Sequence, residues 1–389
     1  MTIINATVYT MDGPPIESGF VQVQEGKILR VGPMEQYPGD SHELDARGGV
    51  VLPGLVDIHT HLGLFEEGIS FEGEDGNEDT SPTTPHLRVL DGINPMDVAF
   101  EEALAAGVTT VAVAPGSANP IGGQILLMKT AGHCVDKMLL KEPLAMKLAL
   151  GENPKCTYNS KNQMPVTRMA TAALIRESLK KAQDYYDQKE KAQLEEDDAD
   201  DVEFDMECES LIPVILGQIP VHVHAHRADD IFTALRLAQE FELQCVIVHG
   251  TEGHKIAPEL AEAGVPVIVG PVLTDRSKPE LREQSLETAG ILARAGVKVA
   301  LCTDHPETPL KFFTLCGALC VKYGMDREEA LRAMTRNPAE IVGMGDRIGS
   351  LRPGMDADLI VCDGDPLDLY TNVTHVMVNG KLVKGDETA

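Results

Sequence analysis

Two histidines separated by one residue, His59 and His61, close an apolar run, Leu55-Val56-Asp57-Ile58-His59-Thr60-His61. The pattern repeats later: His222, His224 and His226 alternate with apolar residues, His249 ends Val246-Ile247-Val248-His249, and Asp304 follows another apolar run. Glu152 closes a run of the same kind at 146–152. Strand side chains alternate with a period of two, so His59 and His61 point one way, and His222, His224 and His226 share a direction too. A single histidine near a strand end is ordinarily a hydrogen-bonded residue and nothing more. Four or more at the same end of different strands, with a glutamate and an aspartate, are not well explained that way. Imidazole and carboxylate are the ligand set of Zn²⁺ or a related divalent ion, and such an ion activates water for hydrolysis.

Those residues need a scaffold that brings strand ends together. Apolar, β-branched runs at 55–61, 109–114, 124–129, 146–152, 221–226, 244–249, 265–270 and 297–303 alternate with helical stretches such as 95–106, 230–240 and 285–295. That alternation predicts an α/β fold with a parallel sheet, and eight units predict a closed (β/α)₈ TIM barrel over residues 53–346. In such a barrel the functional residues gather at one rim. An open doubly wound sheet would carry a glycine-rich phosphate loop after its first strand, and here that strand ends in histidines. A polar stretch at 63–94 follows the first strand and is long enough for an active-site loop. An insertion at about 153–219 carries a long polar helix (167–193), the acidic run 195–201 and a second short helix. The acidic run reads as a solvated loop.

Both ends of the chain are β-rich. Residues 2–10, 19–24 and 27–31 read as strands, with a hairpin turn at Gln24-Glu25-Gly26-Lys27, and 358–362 and 373–379 echo them. Residues 1–52 and 347–389 are therefore expected to form one small β-sandwich domain between them.

Composition narrows the partners. Among 389 residues, 61 acidic against 33 basic give a formal charge of −28, which repels phosphate backbones and excludes nucleic acid as the expected partner. No run of eighteen apolar residues predicts a membrane span. The opening thirty residues lack the pattern of a secretory signal, and the eight cysteines show no CxxC spacing. The expectation is a cytoplasmic protein with reduced thiols, acting on a small molecule, with a homo-oligomer left open.

With the ordered motifs in view, a resemblance emerges. Leu52-Pro53-Gly54-Leu55-Val56-Asp57-Ile58-His59-Thr60-His61 resembles the first-strand signature of the amidohydrolase superfamily, and 351–361 resembles its return to the β-sandwich. Val246-Ile247-Val248-His249-Gly250 and Thr303-Asp304-His305-Pro306 are similar to its sixth- and eighth-strand ends. The motifs span essentially the whole chain in the right order, nearest to the imidazolonepropionase-like and Xaa-Pro-dipeptidase-like branch. The resemblance implies His59, His61, His224, His249 and Asp304 as metal ligands. His226 would then face the substrate and His222 would sit deeper.

Many binuclear members place a carboxylated lysine or a glutamate on the fourth strand. Lys147 and Glu152 both compete here, and Glu152, at the strand end before a proline break, is the choice. A bridging carboxylate favours two Zn²⁺ ions over one. The implied chemistry is attack by metal-activated hydroxide on a carbon–nitrogen bond, with Asp304 as the proton shuttle. The expected substrate is a cyclic amide such as an imidazolone, or a small N-acyl or dipeptide amide. A dipeptidase and an aminohydrolase (deaminase) are the enzymatic alternatives, and a metal-free scaffold is the rival from another class. His86 and Arg88 on the loop after the first strand, Arg227 and His254 are weaker substrate-contact candidates.

Overall fold

A computed structural model describes residues 1–194 and 202–386; the acidic run at 195–201 lies outside them. The barrel consists of eight strands: Leu55–Thr60, Val108–Val113, Ile121–Lys129, Leu139–Ala149, Val221–Ala225, Cys245–His249, Val267–Val269 and Val299–Leu301. They stand side by side in that order, and each overlaps one of the eight runs expected from the sequence, although the fourth runs from Leu139 to Ala149 and stops short of Glu152. The first and eighth strands are neighbours without a backbone ladder among the described residues.

One expectation needs correction. The third strand, Ile121–Lys129, runs antiparallel to both of its neighbours. A parallel crossover needs a dozen or more residues, and residues 114–120 between the second and third strands are too few for one. Lys129 therefore ends at the rim opposite the histidines, where it forms ion pairs with Asp356 and Asp358.

A large apolar layer packs the strands against the surrounding helices. A second cluster draws on seven of the eight strands, among them Ile58, Ala112, Ile125, Ala145, Val248 and Ala300. The fifth strand alone contributes nothing to it. Its Val221, Val223 and Ala225 face the helix layer, so alternation turns His222 and His224 the other way. His222 and His224 pair with Val246 and Val248 of the sixth strand, and neighbouring residues in a ladder share a face. Histidines thus stand where the other strands supply apolar side chains.

The insertion after the fourth strand holds the helices Glu152–Ser160, Arg168–Leu194 and Met206–Ile215. On the long helix, Thr171, Ile175, Leu179, Ala182 and Tyr185 are buried. Their spacing of three or four residues forms one stripe, which is why a mostly polar sequence still docks.

Strands from both termini share one eight-stranded sheet, in which Val50–Pro53 lies between Leu359–Cys362 and Thr2–Val8. The far strand Lys27–Pro33 folds back so that Lys27 bridges Asp356, enclosing Ile3, Val21, Leu44, Val51, Leu359 and Met377. Glu25 and Gly26 both have positive φ, 51° and 78°, as the two-residue hairpin turn between twisted strands requires. Gly54 joins this sheet to the first barrel strand. A Cβ there would meet Thr109 Oγ1 at 2.1 Å, so the Thr109 side chain pressed against this backbone fixes the residue as glycine.

Candidate metal centre

Two sets of three side chains converge at one rim of the barrel. His59, His61 and Asp304 form one, and His224, His226 and His249 the other; within each set the potential ligand atoms lie within 4.8 Å of one another. In the first, Asp304 Oδ1 is 3.2 Å from Nε2 of both His59 and His61. In the second, the three rings are 4.5 to 4.6 Å apart, with His226 stacked on His249. The His59 and His249 rings are 5.2 Å apart, so the two sets adjoin.

The strands explain most of this placement, and backbone strain explains the rest. His249 pairs with Ala225, and plain alternation would send it to the helix side with Ile247. Its φ of 73° returns the ring to His224. Asp304, just past the eighth strand, also has positive φ, 54°. Left-handed backbone at non-glycine residues costs on the order of 1–3 kcal/mol each and clusters at functional sites.

Hydrogen bonds on Nδ1 of His61, His224, His226 and His249 leave the other nitrogen of each pointing inward, and neither nitrogen of His59 has a hydrogen-bond partner among the described residues. Nδ1 of His61 donates to Ala114 O and Nδ1 of His249 to Gly270 O, both at 2.7 Å. Nδ1 of His224 pairs with Ser117 Oγ at 3.0 Å and Nδ1 of His226 with Thr251 Oγ1 at 2.7 Å. Buried Nε2 of His59, His224 and His226 and Oδ1 of Asp304 have no hydrogen-bond partner among the described residues. Buried polar atoms are nearly always satisfied, and a histidine anchored through Nδ1 with a free Nε2 is the arrangement of a metal ligand. The residues fit a divalent ion. Burial also holds the His249 imidazolium down to about 4 and keeps His224 and His226 well below the usual histidine range, so these rings are neutral, as coordination demands.

Lys147 lies beside both sets. It pairs with His222 across the ladder, is fully buried, and its Nζ has no hydrogen-bond partner among the described residues. Burial pushes its ammonium down to about 8 against the pull of Asp304, and its charge is felt at His59, His224, His226 and His249. Glu152 is elsewhere. The fourth strand ends at Ala149 and Glu152 begins the next helix, where its carboxylate accepts from the Glu280 amide at 3.3 Å. It belongs to neither set of three.

A cavity of about 360 Å³ opens above the two sets, lined by His61, His224, His226 and Asp304 together with Phe65 and Lys278. Phe65 and Asn77 bring the loop after the first strand to this cavity. The weaker candidates are not in its lining. His86 faces Glu207 at 4.0 Å, and Arg88 pairs with Glu142. Arg227 is held by Asp229 through two bonds of 2.9 Å, and His254 Nδ1 meets Thr288 Oγ1 at 3.0 Å. Arg88, Arg227 and His254 each have a local partner that explains them, whereas His86 Nδ1 has no hydrogen-bond partner among the described residues. Sequence reasoning missed Ser117, Thr251, Lys278 and Glu280. The first two carry no periodic signal. The only hint of the others is a charged pair, Lys278-Pro279-Glu280, on the loop behind the seventh strand.

Comparison with known proteins agrees with this geometry. Residues 50–383 match the amidohydrolase family. The amidohydrolase tasK of Hapsidospora irregularis is 29% identical over 93% of this chain, which spans 39% of that protein's length. An imidazolonepropionase of Maricaulis maris (strain MCS10) is 26% identical over 95% of this chain and 94% of its own. The crystal structure of an amidohydrolase from Thermotoga maritima MSB8 is 45% identical, with a TM-score of 0.95 over 99% of this chain and 100% of that one.

Proposed function

The chain belongs to the amidohydrolase family and is a hydrolase of carbon–nitrogen bonds; on that premise we propose that it cleaves a small cyclic amide, such as an imidazolone, or a small N-acyl or dipeptide amide. The observation that carries the proposal is the pair of adjoining three-residue sets on the floor of one small cavity. A cavity of that size matches small-molecule sites, and the long relationship to an imidazolonepropionase supports the cyclic amide.

His59, His61 and Asp304 would hold one divalent ion, and His224 and His249, with His226, a second. Ions bound there supply Lewis acidity, lowering the pKa of water toward neutrality and polarising the substrate carbonyl. Asp304 takes the proton of the attacking water at its carboxylate and delivers it to the leaving nitrogen. His59 and His61, both 3.2 Å from Oδ1, orient that carboxylate. Phe65, edge-on to His61 with ring centroids 5.6 Å apart, covers the site with an apolar surface.

For the fourth-strand residue we take Lys147 in place of Glu152. Its unpartnered, buried Nζ beside both sets supports this reading. The ammonium gives up one proton, the neutral amine adds carbon dioxide and releases a second, and the resulting carbamate puts an anion facing both sets where a buried cation stood among neutral imidazoles.

Assay of a panel of lactams, dipeptides and N-acyl amino acids, with metal content measured on the same preparation, tests the proposal. Turnover of an imidazolone or a small amide that disappears on chelation and returns with added Zn²⁺ is expected. A protein that binds no divalent ion and hydrolyses none of the panel would be a scaffold on this fold.

A further inference from the structure

We infer that Glu280 is a ligand of the ion held by His224, His226 and His249, a carboxylate delivered by the loop behind the seventh barrel strand. The inference rests on the reading that divalent ions occupy the two sets, and extends it to a residue outside both.

Glu280 is buried, with 3% of its surface exposed, and its Oε1 lies 3.7 Å from His224 Nε2 and 3.6 Å from His226 Nε2. None of these three atoms has a hydrogen-bond partner among the described residues. Both histidines already use Nδ1 on hydroxyls, so Nε2 is the nitrogen that each turns toward the carboxylate oxygen. When Ser117 and Thr251 accept from Nδ1, two acceptor nitrogens and a carboxylate oxygen face one another without a hydrogen bond, an arrangement that a cation between them satisfies. The other oxygen, Oε2, accepts from the Glu152 amide at 2.9 Å, which fixes the side chain with Oε1 turned inward. The residue chosen from the sequence as the carboxylate ligand thus serves to aim a different carboxylate at the histidines.

Charge gives the second reason. The first set contains Asp304, whereas the second is three neutral imidazoles. The Lys147 carbamate faces both sets and is shared between the two ions, so a carboxylate of its own compensates the charge that remains on the second ion in a low-dielectric setting. Without an ion, Glu280 needs another cation, and Lys278 provides it. The Lys278 ammonium sits 2.9 Å from the same Oε1, outside hydrogen-bond geometry, and donates to Asn153 Oδ1 at 2.9 Å. Lys278 also lines the cavity and its side chain is 25% exposed, so it has room to leave. Ion and ammonium compete for one oxygen.

A simpler role for the pair, an ion bridge that staples the loop, makes different predictions. Metal stoichiometry and Zn²⁺ affinity would be measured on wild type, Glu280→Gln and Lys278→Met by elemental analysis and competition with a chromophoric chelator, with circular dichroism as the fold control. Glu280→Gln should weaken the second ion at least about tenfold, the lower end of what loss of even an outer-shell partner costs, and leave the first in place. Lys278→Met should bind the second ion more tightly, because its competitor is gone. A staple predicts unchanged affinity in both variants, and that result overturns the inference while leaving the two-ion reading intact. If Glu280→Gln does not fold, the direction of the Lys278→Met effect decides alone: tighter binding supports the ligand role, unchanged or weaker binding rejects it. A wild type with no divalent ion overturns the metal reading and this inference with it.

Discussion

Asp57 Oδ2 accepts two hydrogen bonds from Thr303, from its amide at 2.8 Å and its hydroxyl at 2.7 Å. The contact joins the first barrel strand to the segment leaving the eighth, where no backbone ladder links the two strands among the described residues. The same carboxylate takes the His59 amide on its other oxygen at 3.0 Å. One buried residue therefore closes the barrel and sets the backbone between His59 and Asp304. Removing it leaves buried donors unsatisfied, so Asp57→Ala should lose roughly 3 kcal/mol of stability, the upper end of what unsatisfied buried groups cost. Thermal and denaturant unfolding measure this, and a loss under 1 kcal/mol would mean that closure rests on other contacts.

His59→Ala and His61→Ala should each abolish turnover and lower metal content while the circular dichroism spectrum stays that of wild type. These side chains sit at the rim, whereas stability resides in the apolar layers below. Wild-type rates in the demetallated double mutant would end the metal mechanism.

Asp304→Asn and Lys147→Met should fail in different ways. The asparagine variant keeps the histidines and much of the metal but has no proton shuttle, a loss of about 10²–10⁴-fold in kcat. The methionine variant cannot form a carbamate and should lose metal as well as rate. Glu152→Gln is the control: among the described residues its carboxylate has one hydrogen-bond partner, the Glu280 amide, so metal content should hold. Full metal in Lys147→Met with depleted metal in Glu152→Gln would restore Glu152 as the fourth-strand ligand.

Gly270→Ala should disturb the second histidine set. A Cβ there would lie 2.1 Å from Cys302 O, and Gly270 O is the acceptor that holds His249. Weaker Zn²⁺ binding with little change at the first set is expected, read by the same chelator competition. An alanine variant with wild-type affinity for both ions would show that the carbonyl does not set the ring.

Removal of residues 359–386 should expose amides at the other end of the chain. Val50–Pro53 loses its Leu359–Cys362 neighbour, and the enclosed core loses Leu359 and Met377. Hydrogen exchange should then show residues 2–8 and 50–53 opening together. Unchanged protection there would separate the two ends into independent units.

The sequence exposed the barrel because buried strands and period-two histidines are local signals, readable at His59, His61 and His224. It exposed the shared terminal sheet for the same reason. Strand direction was not legible: Ile121–Lys129 has the composition of its parallel neighbours, and only the short link before it shows the reversal. Lys147 and Glu152 could not be separated because the strand's end at Ala149 depends on Gly151, whose φ is +83°, and on the helix that follows. Glu280 and Lys278 were out of reach, since the loop that brings them to His224 and His226 is aimed by tertiary contacts such as the Glu152 amide. The turn of His249 toward its partners was equally hidden, being a matter of one backbone angle.

The reversed third strand has a consequence for the order in which the chain assembles. Strands two to four form a meander within residues 108–149, linked only by contacts between sequence neighbours, whereas Asp57 and Thr303 meet across 246 positions. Closing a long loop costs more entropy than closing a short one, and sequence-local contacts form fastest. During synthesis the meander is complete before the fifth strand leaves the ribosome, and Lys147 hangs from its last strand. The lysine beside the two sets is thus in position before most of their histidines exist as folded structure. Pulse-labelled hydrogen exchange during refolding should find amides at 108–149 protected ahead of those at 299–303, and the reverse order would mean that closure comes first.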